Sequence, residues 1–308
     1  MWSDDRVSDR PSGIRVALGR ERVLREISAA ASLAGGLRVP LTASAPWLTT
    51  VLSVQAAHRR PRLLPAAVVV GSSPDRPDGI ALLALATAGP VVTATLLGDG
   101  LPVPGGRPAA RLPARDDDAA ARLAAGVLGL LTSVRRPWRL RMAGLPPGDP
   151  TVRALARLRP DAVVASRRSR RLVDDLDAHA AATGRRVVRT RDARALDAAL
   201  PGLLAGVRDR RTRDLVRAAA RLHAAAGRVE VAVLTDGVRQ RAALLTLLDG
   251  ESHEERLPWW GRPDVGGLDE EPGAPLVGIA VGGRGRVLRA ALDGAAVLLP
   301  LNPRRGSG

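Results

Sequence analysis

The chain has 308 residues, 45% of them hydrophobic, and a mean hydropathy of zero. That is enough apolar material for one large or two ordinary globular domains, and it excludes a disordered chain. The absence of cysteine excludes a disulfide framework, a thiolate zinc site and a thiol nucleophile.

The charge balance is one-sided: 47 basic residues, all arginine, stand against 31 acids, a net charge of +16. Lys, Phe and Tyr are missing and Asn302 is the single asparagine, so GC-rich codon usage explains why the base is arginine. It does not explain the excess of base over acid. Such an excess suits a polyanionic partner, with RNA or DNA first among them. The four histidines are scattered, with no pair at metal-ligand spacing, and the acids form no metal-loop motif. No built-in metal site is expected.

In chain order, residues 1–13 read as a polar leader with no apolar core, so no secretory signal is expected and the protein is expected in the cytoplasm. Residues 14–35 read as helical. Ser44 is a candidate N-cap, with Pro46 in the first turn of a helix running through Ala57. Leu63 to Val70 reads as a strand. The uncharged run from Gly79 to Gly98 approaches the length of a membrane span, but Gly89-Pro90 at its centre predicts two strands joined by a turn. Residues 101–115 are a Pro- and Gly-rich loop. Asp116, Asp117 and Asp118 then suit the start of a helix that runs to about Ser133.

A strand from Trp138 to Ala143, a turn, and a short helix ending at Leu158 come next. Asp161 to Ala165 reads as a short strand and 166–184 as a charged helix, with Arg167, Arg168, Arg170 and Arg171 ahead of Asp174, Asp175 and Asp177. Arg186 to Arg189 is a strand, Asp192 to Leu204 a helix, and Arg208 to Ala226 an amphipathic helix. On that last helix Leu215, Ala219 and Leu222 share one face, while Arg210, Arg213, Arg217 and Arg221 lie off it. Val229 to Thr235 and Gln240 to Leu248 form a hairpin around Asp236-Gly237. Residues 251–274 read as polar and irregular, with final strands at Leu276 to Val281, Arg286 to Leu292 and Ala295 to Leu301. The order is that of an α/β protein with mixed sheets flanked by helices. Two units in series are expected, 14–165 and 166–301, with a loose tail at 302–308.

Three groups of residues can carry chemistry. Gly282, Gly283, Arg284 and Gly285 follow a strand and could cradle a pyrophosphate, or simply turn a hairpin. Trp259, Trp260 and Arg262 could line a substrate pocket together with His253, and Glu254 or Asp264 could serve there as a base. The plain alternative is a Trp pair filling a core short of aromatics, beside a solvated acidic loop. The arginines at 135–141 and 167–171 could meet a nucleic acid, or form a solvated face paired with the following aspartates.

The stretch from Pro46-Trp47 through Leu96-Leu97-Gly98-Asp99-Gly100 and the strand Pro137 to Arg141 with Leu145-Pro146 resemble the first half of the Fem-like branch of the GNAT acyltransferases. The second half of that branch is similar to Ala226 to Thr235 and Ala242 to Gly250. The resemblance spans about residues 40–250 and implies two tandem GNAT-like α/β units. It also implies transfer of an acyl or aminoacyl group, from acyl-CoA or aminoacyl-tRNA as co-substrate, to an amine acceptor. The superfamily's glycine-rich donor loop has no clean match, and the tyrosines common in Fem-like sites are absent. A catalytically inactive binding or scaffold protein of the same fold, and an Arg-rich RNA- or DNA-binding protein, are the alternatives.

Overall fold

The structure is a computed structural model and describes residues 13–58, 62–73, 75–237, 239–250, 255–263 and 267–283. The chain folds as two compact units. The first holds the chain up to Gly100, Ala110–Arg167 and the chain from Leu276 onward; the second holds Leu101–Ala109 and Arg168–Pro275. The expected leader, the strands at 286–292 and 295–301, and the tail lie outside the described residues.

The first unit opens with β1 (Ile14–Leu18), α1 (Arg20–Ala29), α2 (Ala31–Gly36) and α3 (Ala45–Ala57), followed by β2 (Leu63–Val70), β3 (Gly79–Ala88) and β4 (Val91–Leu96). It continues through α4 (Asp117–Ser133), β5 (Trp138–Leu145) and α5 (Pro150–Leu158). Two further strands, β6 (Val163–Asp174) and β11 (Leu268–Gly283), each run from one unit into the other and complete a sheet ordered β1-β2-β3-β4-β5-β11-β6. The expected helix over 14–35 is corrected at its start. Ile14, Val16 and Leu18 alternate with period two and pair antiparallel with Val70, Val68 and Ala66, so β1 precedes the helices. Ser44 occupies the N-cap of α3 with Pro46 in the first turn, but its hydroxyl makes no capping bond. The long uncharged run is the β3–β4 hairpin, closed Ala88 to Val91 across Gly89-Pro90. Among the described residues no helix is long and apolar enough to cross a membrane.

Helix α4 holds the core of this unit together. Asp116 caps it by accepting a bond of 2.7 Å from the Ala119 N–H, and Asp117 and Asp118 follow in the first turn. Its inward face buries Leu123, Val127, Leu130 and Leu131 against the β-sheet. Gly126 sits where a Cβ would come within 2.7 Å of Val68 and 2.9 Å of Ile14. The lost helix propensity, about 1 kcal/mol, is thereby exchanged for close helix–sheet contact.

The second unit contains α6 (Leu176–Thr183), β7 (Arg186–Thr190), α7 (Ala193–Leu204), α8 (Arg210–Ala225), β8 (Val229–Asp236), β9 (Arg239–Asp249) and β10 (Glu255–Pro263). Its sheet, β10-β9-β8-β7, is antiparallel throughout. Two expectations are overturned here. Residues 166–174 belong to strand β6, with α6 only afterwards: from Val163 to Ser169 exposure alternates residue by residue, the period of a strand, which the Arg-then-Asp charge order had disguised as a helix face. Residues 255–263 form a strand in place of an irregular loop. Pro258 and Pro263 hid that pattern, and they are tolerated because β10 is an edge strand.

Helix α8 is amphipathic as expected, with one change of membership. Leu222 is 41% exposed, and the inward position belongs to His223, which is buried among Leu215, Ala219 and Ala220. Burial, then the nearby Arg228, lower the His223 pKa to about 4 against the opposing pull of Asp249. The unfolded chain therefore binds a proton between pH 6.5 and about 4 that the folded chain refuses. Stability should be fully present above pH 6.5 and fall by about 3 kcal/mol as pH drops through that window. Urea unfolding from pH 7 to pH 4 should show a steeper loss in the native protein than in His223→Leu. Parallel curves would refute the assignment.

Candidate functional site

In the first unit, strands β4 and β5 run parallel, connected by the crossover helix α4. Their pairing begins at Val92↔Trp138 and stops at Thr95↔Arg141, although β5 continues to Leu145. β4 ends one residue past the last pair, at Leu96, so the carboxyl end of β5 runs on without β4 beside it. In open α/β sheets this is where ligands bind, because neighbouring chains leave in different directions and the backbone is left uncovered. The chain itself fills part of the gap: the Ala110 N–H donates to the Gly144 carbonyl at 3.1 Å, and Leu112 beside it is buried.

Asp99 stands in the turn just past the carboxyl end of β4. Gly98 (φ 88°) and Gly100 (φ 79°) flank it in the left-handed region, and the Asp99 N–H closes a turn onto the Leu96 carbonyl at 3.0 Å. Crowding by neighbouring atoms raises the Asp99 carboxyl pKa, opposed by Arg141, the Gly100 N–H and Arg167. The residue stays open to solvent at its surface, so the rise is smaller than a sealed site would give. Arg167 is partly buried, its Nη2 is sealed from solvent without a hydrogen-bond partner, and its pKa is lowered by burial against the pull of Asp99. A carboxylate of raised basicity can take a proton, and the two guanidiniums whose field reaches it can stabilise a developing anion. The start of α4 behaves oppositely. Its three aspartates use the N–H groups and the positive end of the helix dipole, so an anionic phosphate has no seat there.

The residues singled out by sequence are found elsewhere. Trp259 and Trp260 sit in β10, not in a loop, and both are buried because a bulge between Pro258 and Trp260 breaks the alternation. Their indole N–H groups donate to the Pro102 carbonyl at 3.3 Å and the Leu203 carbonyl at 3.0 Å. Arg262 lies in the same strand opposite Ala243. His253, Glu254 and Asp264 fall outside the described residues, as do Arg284 and Gly285.

Gly282 and Gly283 are the last residues of β11, paired with Arg139 and Trp138, and do not form a turn. A Cβ on Gly283 would lie 2.2 Å from the Trp138 ring, and Arg159 covers that ring at 5.5 Å while reaching the Gly282 carbonyl at 2.5 Å. Packing onto an indole therefore accounts for the second glycine. Of the cluster at 167–171, Arg170 and Arg171 pair with Glu270 and Glu271 at 3.1 and 2.6 Å. The Asp99–Arg141–Arg167 group escaped sequence reading because its members lie 26 to 68 positions apart; the only local signal was the Gly-Asp-Gly turn.

The second unit has a cavity of about 570 Å³ lined by Gly105, Gly106, Arg107, the end of β6 and the start of β10. Arg189 bonds Asp174 at 2.8 Å, Asp177 at 2.5 Å and Glu230 at 3.4 Å. Arg256 bonds Glu230 at 2.6 Å and reaches Asp174 at 3.5 Å. Arg107 pairs with Asp249 and Glu255. These guanidiniums are already committed to carboxylates, so the network braces the unit.

In sequence the chain matches no family model and no curated protein. Among solved structures it is similar to the C-terminal DUF2156 domain of a putative lysylphosphatidylglycerol synthetase from Agrobacterium fabrum, at 12% identity, with a TM-score of 0.46, over 89% of this chain and 96% of that one. It is also similar to a tandem GNAT protein from the clavulanic acid pathway, solved without AcCoA, at 14% identity and a TM-score of 0.42, covering 88% and 99%. A conserved protein of unknown function from Bacteroides thetaiotaomicron matches at 11% identity and a TM-score of 0.43, covering 78% and 90%. At those scores the likenesses carry no argument, and the functional reading rests on this chain's own residues.

The brace and the glycine give two expectations for stability. Arg189→Ala should cost about 3 kcal/mol, because Asp174 and Glu230 are only 12% and 10% exposed and are left with Arg256 alone. Arg171→Ala, which breaks an exposed pair, should cost less than about 1 kcal/mol. Gly283→Ala should cost about 1–3 kcal/mol by forcing Trp138 aside. Urea midpoints of the three variants check all of this, and equal midpoints for Arg189→Ala and Arg171→Ala would show that the network braces nothing.

Proposed function

We propose that the protein transfers an acyl or aminoacyl group from an activated ester or thioester to an amine, at the carboxyl end of the parallel pair β4 and β5. The observation that carries this reading is the placement of Asp99, with raised basicity, just past the carboxyl end of β4 and within the field of Arg141 and Arg167. The sequence resemblance to Fem-like GNAT acyltransferases supports the same chemistry.

The step follows from the groups present. The acceptor nitrogen attacks the donor carbonyl, a C–N bond forms, and the C–S or C–O bond to the leaving group breaks. Asp99 takes the proton that the attacking nitrogen sheds and passes it to the departing thiolate or alkoxide. Arg141 and Arg167 face the negative charge that builds on the carbonyl oxygen, and the poorly hydrated Arg167 guanidinium is the stronger partner there. The aspartates at the start of α4 leave the donor's phosphates to be held elsewhere.

The purified protein should be offered acetyl-CoA, longer acyl-CoAs and aminoacyl-tRNA with a panel of amines, and product amide measured. Asp99→Asn should lower turnover by about 10²- to 10⁴-fold while the fold persists. In the native protein turnover should rise as pH passes through the Asp99 pKa, which lies above the ordinary carboxylate value of 3.8. Full activity in Asp99→Asn together with loss in Glu254→Ala or Asp264→Ala would move the base to the 253–264 segment and overturn the assignment.

A further inference from the structure

The excess of arginine is unevenly spent. In the second unit, residues 191–228 hold nine arginines and four aspartates, a balance of +5, while the rest of that unit holds 11 arginines and 13 acids, a balance of −2. The arginines at 170 and 171 face Glu270 and Glu271 within that acid-rich remainder, and those around the cavity face their own carboxylates. What positive charge the unit has to offer is therefore on the helical hairpin α7–α8.

The geometry of the hairpin concentrates that charge. Arg210, Arg213, Arg217 and Arg221 fall at i, i+3, i+7 and i+11, which return to one stripe of α8 along about 16 Å of axis. The opposite stripe, from Thr212 to His223, is buried, so the arginines face away from the core. Two of the four aspartates, Asp192 and Asp209, are N-caps bonded to the amides of Ala195 and of Arg211 and Thr212, so their charge lies at the starts of the helices. The other two, Asp197 and Asp214, meet Arg221 at 2.8 Å and Arg217 at 3.4 Å in exposed pairs that yield readily to a competing anion. Among the described residues Arg191, Arg194, Arg208 and Arg213 have no ion-pair partner.

We infer that the outer face of α7–α8 docks the phosphate backbone of a double-helical RNA. A polyanion with regularly spaced charges answers a linear stripe of guanidiniums, which favour phosphate for its bidentate geometry. A single strand would want aromatic platforms, yet Trp47, Trp138, Trp259 and Trp260 are all buried. Base readout in B-DNA requires matched donors and acceptors at the base edges of the major groove, whereas a stripe of guanidiniums alone reads backbone charge. The A-form helix is instead recognised by shape and backbone over its wide, shallow groove. An anionic lipid surface would be met by a band of apolar side chains beside the cations, and of the large apolar residues of α7 and α8 only Leu222 is exposed. The inference goes beyond the transfer reaction and holds with or without it.

The test uses the full chain and a fluorescent RNA duplex of mixed sequence, with anisotropy read from about 50 to about 200 mM salt. Binding should weaken steeply across that range. Arg213→Gln/Arg217→Gln/Arg221→Gln should lose at least tenfold in affinity, with a salt slope shallower by about two to three contacts. Arg208→Gln/Arg213→Gln breaks no ion pair, so its weaker binding cannot be blamed on a damaged fold. Arg135→Gln/Arg136→Gln, at the end of α4, should bind as the native protein does. The inference is overturned if the native protein does not bind the duplex or binds it without salt dependence. It also fails if the α8 variants keep native affinity, or if anionic vesicles or the matching DNA duplex bind tenfold more tightly.

Discussion

Core thickness is the constraint on which the rest of this structure depends. With no Phe or Tyr and few Trp, the interior is built from Ala, Val and Leu, and small side chains fill space only when helices and sheets come close. Helix α4 meets this demand through Ala119, Ala120, Ala124 and Gly126, laid on a sheet whose own inward residues include Ala66, Ala81 and Ala94. The crossover that makes β4 and β5 parallel depends on that tight seat. A bulkier helix face would lift α4 off the sheet and disturb the β4–β5 pairing that it spans.

The same shortage explains where the tryptophans went. Trp138 lies flat under Arg159 and against Gly283, while Trp259 and Trp260 fill the second unit and fasten it through their indole N–H groups to Pro102 and Leu203. In a chain with few large residues each indole is structural material first. Polar fastening follows a similar economy. Aspartate begins α4, α5, α7 and α8, so four helices start on carboxylates that are then withheld from the arginines.

Much of the architecture was legible because it is local. The hairpins at Gly89-Pro90 and Asp236-Gly237, the helix starts at Asp116 and Asp192, and the amphipathic α8 were all written in neighbouring residues. The failures are equally physical. Strand β1 is five residues long and adjoins a helix, so its alternation was absorbed into the helix beside it. β6 carries arginine on both faces, and its inward-pointing Arg167 defeats a pattern that equates charge with exposure. β10 breaks its alternation at a bulge. The Asp99, Arg141 and Arg167 group could not be read at all, since only the meeting of β4, β5 and β6 in one sheet brings the three together.

Among the described residues strand β6 ends the seven-stranded order, and along it Val164 is half-exposed and Ser166, Arg168 and Arg170 are exposed. A bare sheet margin offers unpaired N–H and C=O groups to any other extended chain, including another copy of itself. Arg168 has no ion-pair partner among the described residues, so a second copy approaching this strand in register would set like charge against like charge there, and an apolar side chain at that position would remove the penalty.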